Sequence, residues 1–146
     1  MEIRTALDPD ARRIAELFTQ LAYAATSAEL AARLLRLLRH PDIEVMVADD
    51  GGAVHGVLVL HVLHPLHVAQ PWAVISALVV DEQQRSLGTG AALLAAAEAA
   101  AARRGCAHVE LSCSARRMRA HTFYEVQGYE EVRKRFLKKL PPAQTP

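Results

Sequence analysis

One loop, residues 80–90, limits more than any other feature what this 146-residue chain can fold into. It follows an apolar, β-branched run and leads directly into an alanine-rich run at 91–102. Gly88 and Gly90 let the backbone approach a ligand, because neither residue has a Cβ. The free N–H groups and the dipole of the helix that follows favour an anion, and Arg85 adds a positive charge. The pattern predicts a strand, a phosphate-binding turn and a helix.

The spacing within the loop excludes two common phosphate-binding motifs. A Walker loop needs a lysine after its last glycine, but alanine follows Gly90. A dinucleotide-binding turn needs glycines spaced G-x-G-x-x-G, and the loop does not contain that spacing. The remaining pattern, R-x-x-G-x-G after a strand, is also compatible with an ordinary strand-to-helix turn. The loop alone therefore leaves both interpretations open.

Composition and charge indicate one globular domain. The length suffices to bury a single core, and 17 Lys and Arg against 16 Asp and Glu give no reason to expect a nucleic-acid partner. The N-terminus has no apolar signal core and the alanine-rich run carries Glu98, so we predict a cytoplasmic protein without a membrane span. Cys106 and Cys113 are too few for a disulfide framework. We predict one domain over 1–140 and a disordered tail over 141–146.

Apolar periodicity and turn residues predict the order β-α-α-β-β-β-α-β-α-β. The predicted strands cover 2–7, 43–48, 53–62, 72–80, 108–113 and 129–140. The predicted helices run from Asp8-Pro9 to about Ala24, over 27–39, from the loop to about Arg104 with Gly105 as its cap, and over 116–126. Because a helix crosses over between the strands at 75–80 and 107–113, these two strands should be parallel neighbours.

A second motif decides the interpretation of the loop. Residues 120–129 read A-H-T-F-Y-E-V-Q-G-Y, which resembles the A-x-x-F-Y-x-x-x-G-F/Y motif of the GNAT superfamily of N-acetyltransferases. The resemblance implies an α/β GNAT fold, with a mixed, mostly antiparallel sheet of about six to seven strands and about four helices. A central parallel pair of strands would splay apart. It also implies an enzyme that takes acetyl from acetyl-CoA and, as is usual for such proteins, forms a homodimer.

The resemblance assigns the acetyl-CoA site residue by residue. The pantetheine arm would pair with backbone of the splayed strand, and the pyrophosphate would lie on the loop, where Ser86 replaces a glycine common in the family. Tyr124 matches the tyrosine that commonly protonates the departing thiolate, while Phe123 beside it is expected to pack the helix. The predicted cofactor-binding residues are Leu78, Val79, Val80, Arg85, Ser86, Leu87, Gly88, Thr89, Gly90 and Tyr124.

A narrower resemblance begins at His61 and concerns the acetyl acceptor. The run His61-x-x-His64-x-x-His67 before a Trp-containing strand, the L-V-V strand end, 120–130 and 135–140 are similar to the aminoalkylphosphonate N-acetyltransferases. That branch acts on small aminophosphonates with a divalent metal. Pro65 argues against a helix that would bring the three histidines together, so we predict no metal ligand, while a bound divalent metal remains an open alternative.

An anionic acceptor would need cationic partners. We predict substrate-binding roles for His67, Arg116 and Arg117, whose guanidinium groups suit a phosphonate. A solvated helix face explains the arginines equally well. Arg117 also stands where the family often has asparagine.

The reaction needs a group that accepts a proton, because an alkylamine with a reference pKa of about 10.4 is mostly protonated at neutral pH. Many superfamily members have an acid on the strand before the loop, but this chain reads V-I-S-A at 74–77. His67 and His121 are candidates by position, and we single out Glu110 and His64 as catalytic residues alongside Tyr124. Direct attack in a ternary complex is expected, without Cys113 as a nucleophile.

The sequence favours acetyl transfer to the primary amine of a small molecule, with an aminoalkylphosphonate as the named candidate. An aminoglycoside or polyamine acceptor would need an acidic cleft, and the predicted acceptor loops contain few acids. A protein acceptor and a CoA-binding regulatory module without turnover also remain open. The module would explain the missing acid at 74–77.

Overall fold

A computed structural model describes residues 1–84, 87–112, 118–132 and 135–143. The chain forms two compact units that divide after Ser112. Most of the regular structure belongs to the first unit, and the described residues of the second form one helix. Across the described residues, no helix is long and apolar enough to cross a membrane.

The first unit is a five-stranded sheet flanked by three α-helices. Its elements are β1 (Glu2–Thr5), a 3-10 turn (Asp8–Asp10), α1 (Ala11–Thr19), α2 (Ser27–Arg39), β2 (Ile43–Asp50), β3 (Ala53–Leu63), β4 (Trp72–Val80), a second 3-10 turn (Glu82–Gln84), α3 (Thr89–Arg103) and β5 (Val109–Leu111). The strands follow chain order across the sheet. All neighbours are antiparallel except β4 and β5, which are parallel. In the second unit, α4 spans Met118–Val126.

The predicted fold class is confirmed, but the predicted number of strands is too high. Among the described residues the sheet has five strands rather than six or seven. The predicted strand at 129–140 is absent at every position of that range that the structure describes, and 133 and 134 lie outside the description. Alternation of side chains is not sufficient for a strand, since its backbone also needs hydrogen-bonding partners.

Helix α1 is shorter than the sequence predicts. It ends at Thr19 instead of near Ala24, and Ala22 has a φ of 64°. The amide of Tyr23 donates to the carbonyl of Phe18 over 3.2 Å, which closes the turn. Leu21 still packs against the core after the helix has ended. Apolar periodicity therefore continued past the true end of the helix.

The two faces of the sheet carry different helices. Alternate residues such as Val47 and Val57 are buried with Leu17 in the cluster formed by α1 and α2. Leu58 and Leu93 are among the fully buried residues outside that cluster, and α3 contacts β3 and β4. A Cβ at Gly56 would lie 2.9 Å from Leu93 Cδ1, so only glycine allows α3 to approach β3 this closely.

Helices α3 and α4 both end at a glycine, and Gly105 is the cap that the sequence predicts for α3. Gly105 has a φ of 75°, and its amide donates to Ala102 while the amide of Cys106 donates to Ala101. This pair of bonds is a Schellman motif. Gly128 ends α4 in the same way, with a φ of 92°.

Candidate active site

The parallel strands β4 and β5 are paired over only three residues. Ala73–Ile75 of β4 are in register with Val109–Leu111 of β5. From Ser76 onward, β4 has no β5 partner within the part of the chain that the structure describes. An opening therefore begins beside Ser76, as expected for a splayed parallel pair.

Backbone hydrogen-bonding groups of β4 face this opening. The amide of Asp81 donates to the carbonyl of His55 over 2.8 Å, and the Val79 carbonyl lies 3.2 Å from where a Gly56 Cβ would be. Both residues thus direct their backbone toward β3. Because backbone direction alternates along a strand, Leu78 and Val80 direct their N–H and C=O groups toward the opening.

A β-bulge at Ser76 sets this alternation. Ile75 pairs with Leu60 and Ala77 with Val59, so Ser76 is an extra residue in β4 without a partner in β3. A bulge changes which residues of a strand face each neighbour. Here it also places Ser76 at the apex of the opening.

Helix α3 begins immediately after the loop. Gly88 has a φ of 86° and a Cβ there would meet nothing within 4 Å, so backbone conformation rather than space selects glycine. Gly88 is the N-cap residue and has no side chain that could cap the helix, so the first amides of α3 suit an anion. Thr89 is 2% exposed and its hydroxyl donates to Met1 Sδ over 3.6 Å, so its backbone is the part available to a ligand.

The other predicted residues of the loop divide into two groups. Leu87 is 68% exposed, and Gly90 lies in the first turn of α3. Arg85 and Ser86 lie outside the described residues. The contribution of their side chains therefore stays a prediction.

The start of the loop is anchored to α1 by a network that the sequence did not predict. Arg13 donates through Nη2 to Asp81 Oδ2 and through Nε to the carbonyl of Val54 over 2.8 Å. Asp81 Oδ1 accepts from the amide of Gln83 over 2.9 Å, and Gln20 Oε1 accepts from the amide of Glu82 over 3.0 Å. The pKa of Asp81 is lowered mainly by the hydrogen bond from the Gln83 amide; burial opposes this effect, and the Arg13 guanidinium lowers the pKa further.

The face of the sheet that packs against α1 and α2 continues past these two helices. There it carries polar and aromatic side chains. Val57 and Val59 of β3 face the α1 and α2 cluster, and alternation places His61 on the same side. His61 is in register with Val74, which is in register with Glu110. We call this region the open face, because its side chains are half-buried or exposed: His61, Trp72, Val74, Ser76, His108 and Glu110.

Aromatic and charged contacts organise the edge of the open face. The rings of Trp72 and His108 are stacked with centroids 5.5 Å apart. His67 packs edge-on against Trp72 at 6.1 Å. Glu110 Oε2 lies 3.4 Å from His108 Nε2. The structure therefore brings the predicted residues His67 and Glu110 to one region.

The three histidines of the 61–67 run contact three different partners. His61 Nε2 lies 2.7 Å from Ser76 Oγ, whereas His64 Nε2 lies 3.0 Å from Asp42 Oδ1. His67 contacts Trp72. Over the described ranges, no three side chains of the types that bind metals form a group. The run is thus not a convergent ligand set in this structure.

The pKa values of two groups in this region are lowered. Burial, followed by the nearby His40, lowers the pKa of His61. The hydrogen bond with His64 is the main cause that lowers the pKa of Asp42. The Ser76–His61 pair was not predicted, because the two residues are 15 positions apart and meet only through the register of β3 and β4.

Tyr124 lies on α4 in the second unit. Its ring packs against Phe123 at 5.3 Å and against Tyr129 at 6.1 Å, both edge-on. The Tyr124 carbonyl accepts from the amide of Tyr129 over 2.9 Å as part of the helix end. The predicted residues Arg116 and Arg117, and Cys113, lie outside the described residues.

Comparison with known proteins identifies the family. The model of the acetyltransferase (GNAT) family matches residues 5–129. The aminoalkylphosphonate N-acetyltransferase of Salmonella typhimurium (strain LT2) is 36% identical over 124 residues, which cover 85% of this chain and 78% of that protein. The chain belongs to the acetyltransferase (GNAT) family, and its activity class is acyl-CoA-dependent N-acetyl transfer.

Solved structures show the same fold. A GNAT family acetyltransferase from Staphylococcus aureus subsp. aureus USA300_TCH1516 is similar with a TM-score of 0.82 and 21% identity, covering 95% of this chain and 98% of that one. A transcriptional regulator from Bacillus halodurans C-125 is similar with a TM-score of 0.88 and 20% identity, covering 95% and 99%. At these identities the likeness concerns the fold alone.

Proposed function

We propose that this protein transfers the acetyl group of acetyl-CoA to the primary amine of a small molecule by direct attack in a ternary complex. The observation that carries the proposal is the opening beside β4, where the backbones of Leu78 and Val80 are directed away from β3. An extended pantetheine arm has amide groups that complement such a strand edge. The backbone groups of Val79 face β3. Val79 would therefore contact the cofactor only because it lies between Leu78 and Val80.

The phosphates of the cofactor would bind at the loop. The first amides of α3 and the left-handed Gly88 support this placement, because both favour an anion at a helix N-terminus. The residues proposed to line the phosphate site are Arg85, Ser86, Leu87, Gly88, Thr89 and Gly90. A backbone N–H near Leu78 or Val80 would then polarise the thioester carbonyl as negative charge develops on its oxygen.

Two proton transfers complete the reaction. We propose that the Tyr124 hydroxyl protonates the departing thiolate, a role supported by the motif at 120–129. On the amine side, the sequence predicts Glu110 and His64. The place of Glu110 on the open face supports its candidacy, whereas His64 is engaged with Asp42.

For the acceptor we propose a small aminophosphonate. The support is the 36% identity with an aminoalkylphosphonate N-acetyltransferase. His67, Arg116 and Arg117 are the residues proposed to hold the phosphonate. We place the reaction in a cytoplasmic homodimer with one catalytic domain over 1–140, and propose no resident metal.

The test measures free thiol released from acetyl-CoA with 2-aminoethylphosphonate, an aminoglycoside, a polyamine or no amine. Each reaction is run with a divalent metal and with a chelator. We expect release to require an amine and to be fastest with 2-aminoethylphosphonate. Thiol release that is the same with every amine and without amine would identify a CoA-binding module instead. Faster release with the aminoglycoside than with 2-aminoethylphosphonate would reject the proposed acceptor. A rate that depends on the metal would contradict the proposal of no resident metal.

A further inference from the structure

The open face has one hydrogen-bonded pair at the apex of the opening. Ser76 is the first residue of β4 beyond its pairing with β5, and its side chain is exposed. Its Oγ lies 2.7 Å from His61 Nε2, a distance typical of a strong hydrogen bond. A thioester whose pantetheine arm pairs with Leu78 and Val80 would end next to this hydroxyl, since two residues of a strand span about 7 Å.

We propose that Ser76 and His61 form the proton-accepting pair of the acetyl transfer. The inference rests on the proposed function and names the group that takes the amine proton. As the amine nitrogen bonds to the carbonyl carbon, one of its protons moves to Ser76 Oγ while the Ser76 hydroxyl proton moves to His61 Nε2. The C–S bond then breaks, and the thiolate receives its proton from Tyr124. His61 returns its proton to solvent and Tyr124 regains one from solvent, so the enzyme is restored and the products are an amide and free thiol.

The surroundings of His61 suit an acceptor that is neutral before the reaction. Burial and the nearby His40 lower the pKa of His61, so its imidazole is uncharged at neutral pH. With the proton on Nδ1, Nε2 accepts from the Ser76 hydroxyl. The charged groups around it are His40 at the end of α2, the Asp42–His64 pair before β2 and after β3, and Glu110 in the same row of the sheet.

The alternatives are less well arranged for the same step. His64 is 63% exposed at its side chain and is engaged with Asp42. His67 packs on Trp72 at the edge of the open face. Ser76 instead lies within the V-I-S-A run at 74–77, which contains no acid, so a hydroxyl backed by an imidazole would act there in place of a carboxylate.

The experiment measures kcat for amine-dependent thiol release from about pH 5 to pH 9 in the full-length protein. The variants are Ser76→Ala, Ser76→Thr, His61→Gln and Glu110→Gln, each checked for thermal stability and for the KM of acetyl-CoA. We expect Ser76→Ala and His61→Gln to lower kcat about 100-fold and to lose the acidic limb of the pH profile. Ser76→Thr retains a hydroxyl and should remain within about five-fold of the wild type.

One further variant should shift the acidic limb of the pH profile of kcat without removing Ser76 or His61. His40→Gln removes a group that lowers the pKa of His61, so the acidic limb should move to higher pH while the plateau remains. The proposal is overturned if Ser76→Ala and His61→Gln keep the plateau and the limb, or if only Glu110→Gln abolishes the limb. A uniform loss at every pH with the limb intact would show a merely structural role. A wild type without amine-dependent release would instead refute the proposed function itself.

Discussion

Strand β4 has two halves that differ in the kind of chemistry they present. Its second half, Leu78 and Val80, presents backbone groups to the opening. Its first half presents side chains, with Trp72 stacked on His108 and Ser76 bonded to His61. Backbone recognition depends on the fold and tolerates many sequences, whereas side-chain recognition is particular to each chain. We therefore expect the proposed donor end of the site to be shared across the family while the proposed acceptor end changes.

The largest effect is expected where the donor leaves. Tyr124→Phe removes the hydroxyl that we propose protonates the thiolate, so kcat should fall about 100-fold while the KM of acetyl-CoA changes little. Steady-state kinetics at saturating amine measures both values. Tyr129→Phe, a second tyrosine of the same unit, is the matched control. Equal losses in the two variants would mean that ring packing, not the Tyr124 hydroxyl, matters.

A smaller effect should follow from disturbing the backbone of the loop. Gly88→Val places a β-branched residue at a φ of 86°, so the loop must distort and the KM of acetyl-CoA should rise about ten-fold. Gly105→Val imposes comparable strain at the other end of α3, where φ is 75° and a Cβ also meets nothing within 4 Å. That control should lose stability without the rise in KM. A rise in the KM of acetyl-CoA in both variants would mean that the loop does not bind the donor.

The anchor between α1 and the loop should have a moderate effect. Arg13→Leu breaks its bonds to Asp81 and Val54, and we expect the KM of acetyl-CoA to rise about five-fold with kcat nearly unchanged. Arg12→Leu, at an exposed neighbouring position of α1, is the control. If combining Arg13→Leu with Asp81→Asn adds the two single effects in full, the residues do not act together.

The smallest expected change is in the pH dependence of the KM of acetyl-CoA. It distinguishes the two halves of β4 most directly. The pKa of Asp81 is lowered, so its stabilisation is complete above the ordinary pKa of an aspartate and is lost only as pH falls through the lower folded value. The KM of acetyl-CoA should thus stay constant from about pH 5 to pH 8, while kcat rises with pH over the lower part of that range. A KM that follows kcat would show that the halves are not independent.

The helix bounds and the glycine turns were easier to predict from the sequence than the contacts of the open face, for a physical reason. Gly88, Gly90 and the helix after them are local signals, and so are the Schellman glycine Gly105 and the bounds of α2 at 27–39. The side chain of Thr26 accepts from the amide of Glu29, which begins α2 where the sequence placed it. Such signals act within a few residues and can be recognised before a fold is known.

Non-local contacts account for most of what the sequence did not predict. Arg13 and Asp81 are 68 positions apart, and His61 and Ser76 meet only because a bulge shifts the register of β4 against β3. The end of α1 was missed because Leu21 still packs against the core in a partly buried position after the helix stops. The strand predicted at 129–140 followed alternation alone, and the described residues of that range form no strand.

The bulge at Ser76 has a consequence for how such a chain can change. Before it, the Ala73 amide donates to His108 of the neighbouring chain segment, and after it Leu78 and Val80 take over the outward direction. Because of this one extra residue, odd-numbered residues of β4 direct their peptide groups outward before the bulge and even-numbered residues do so after it. Deleting Ser76 would leave Ile75 and Ala77 opposite the consecutive residues Leu60 and Val59, so Leu78 and Val80 would keep their outward direction on a regular strand. Loss or replacement of this residue would therefore change a side chain of the site and leave the peptide groups that follow it in place.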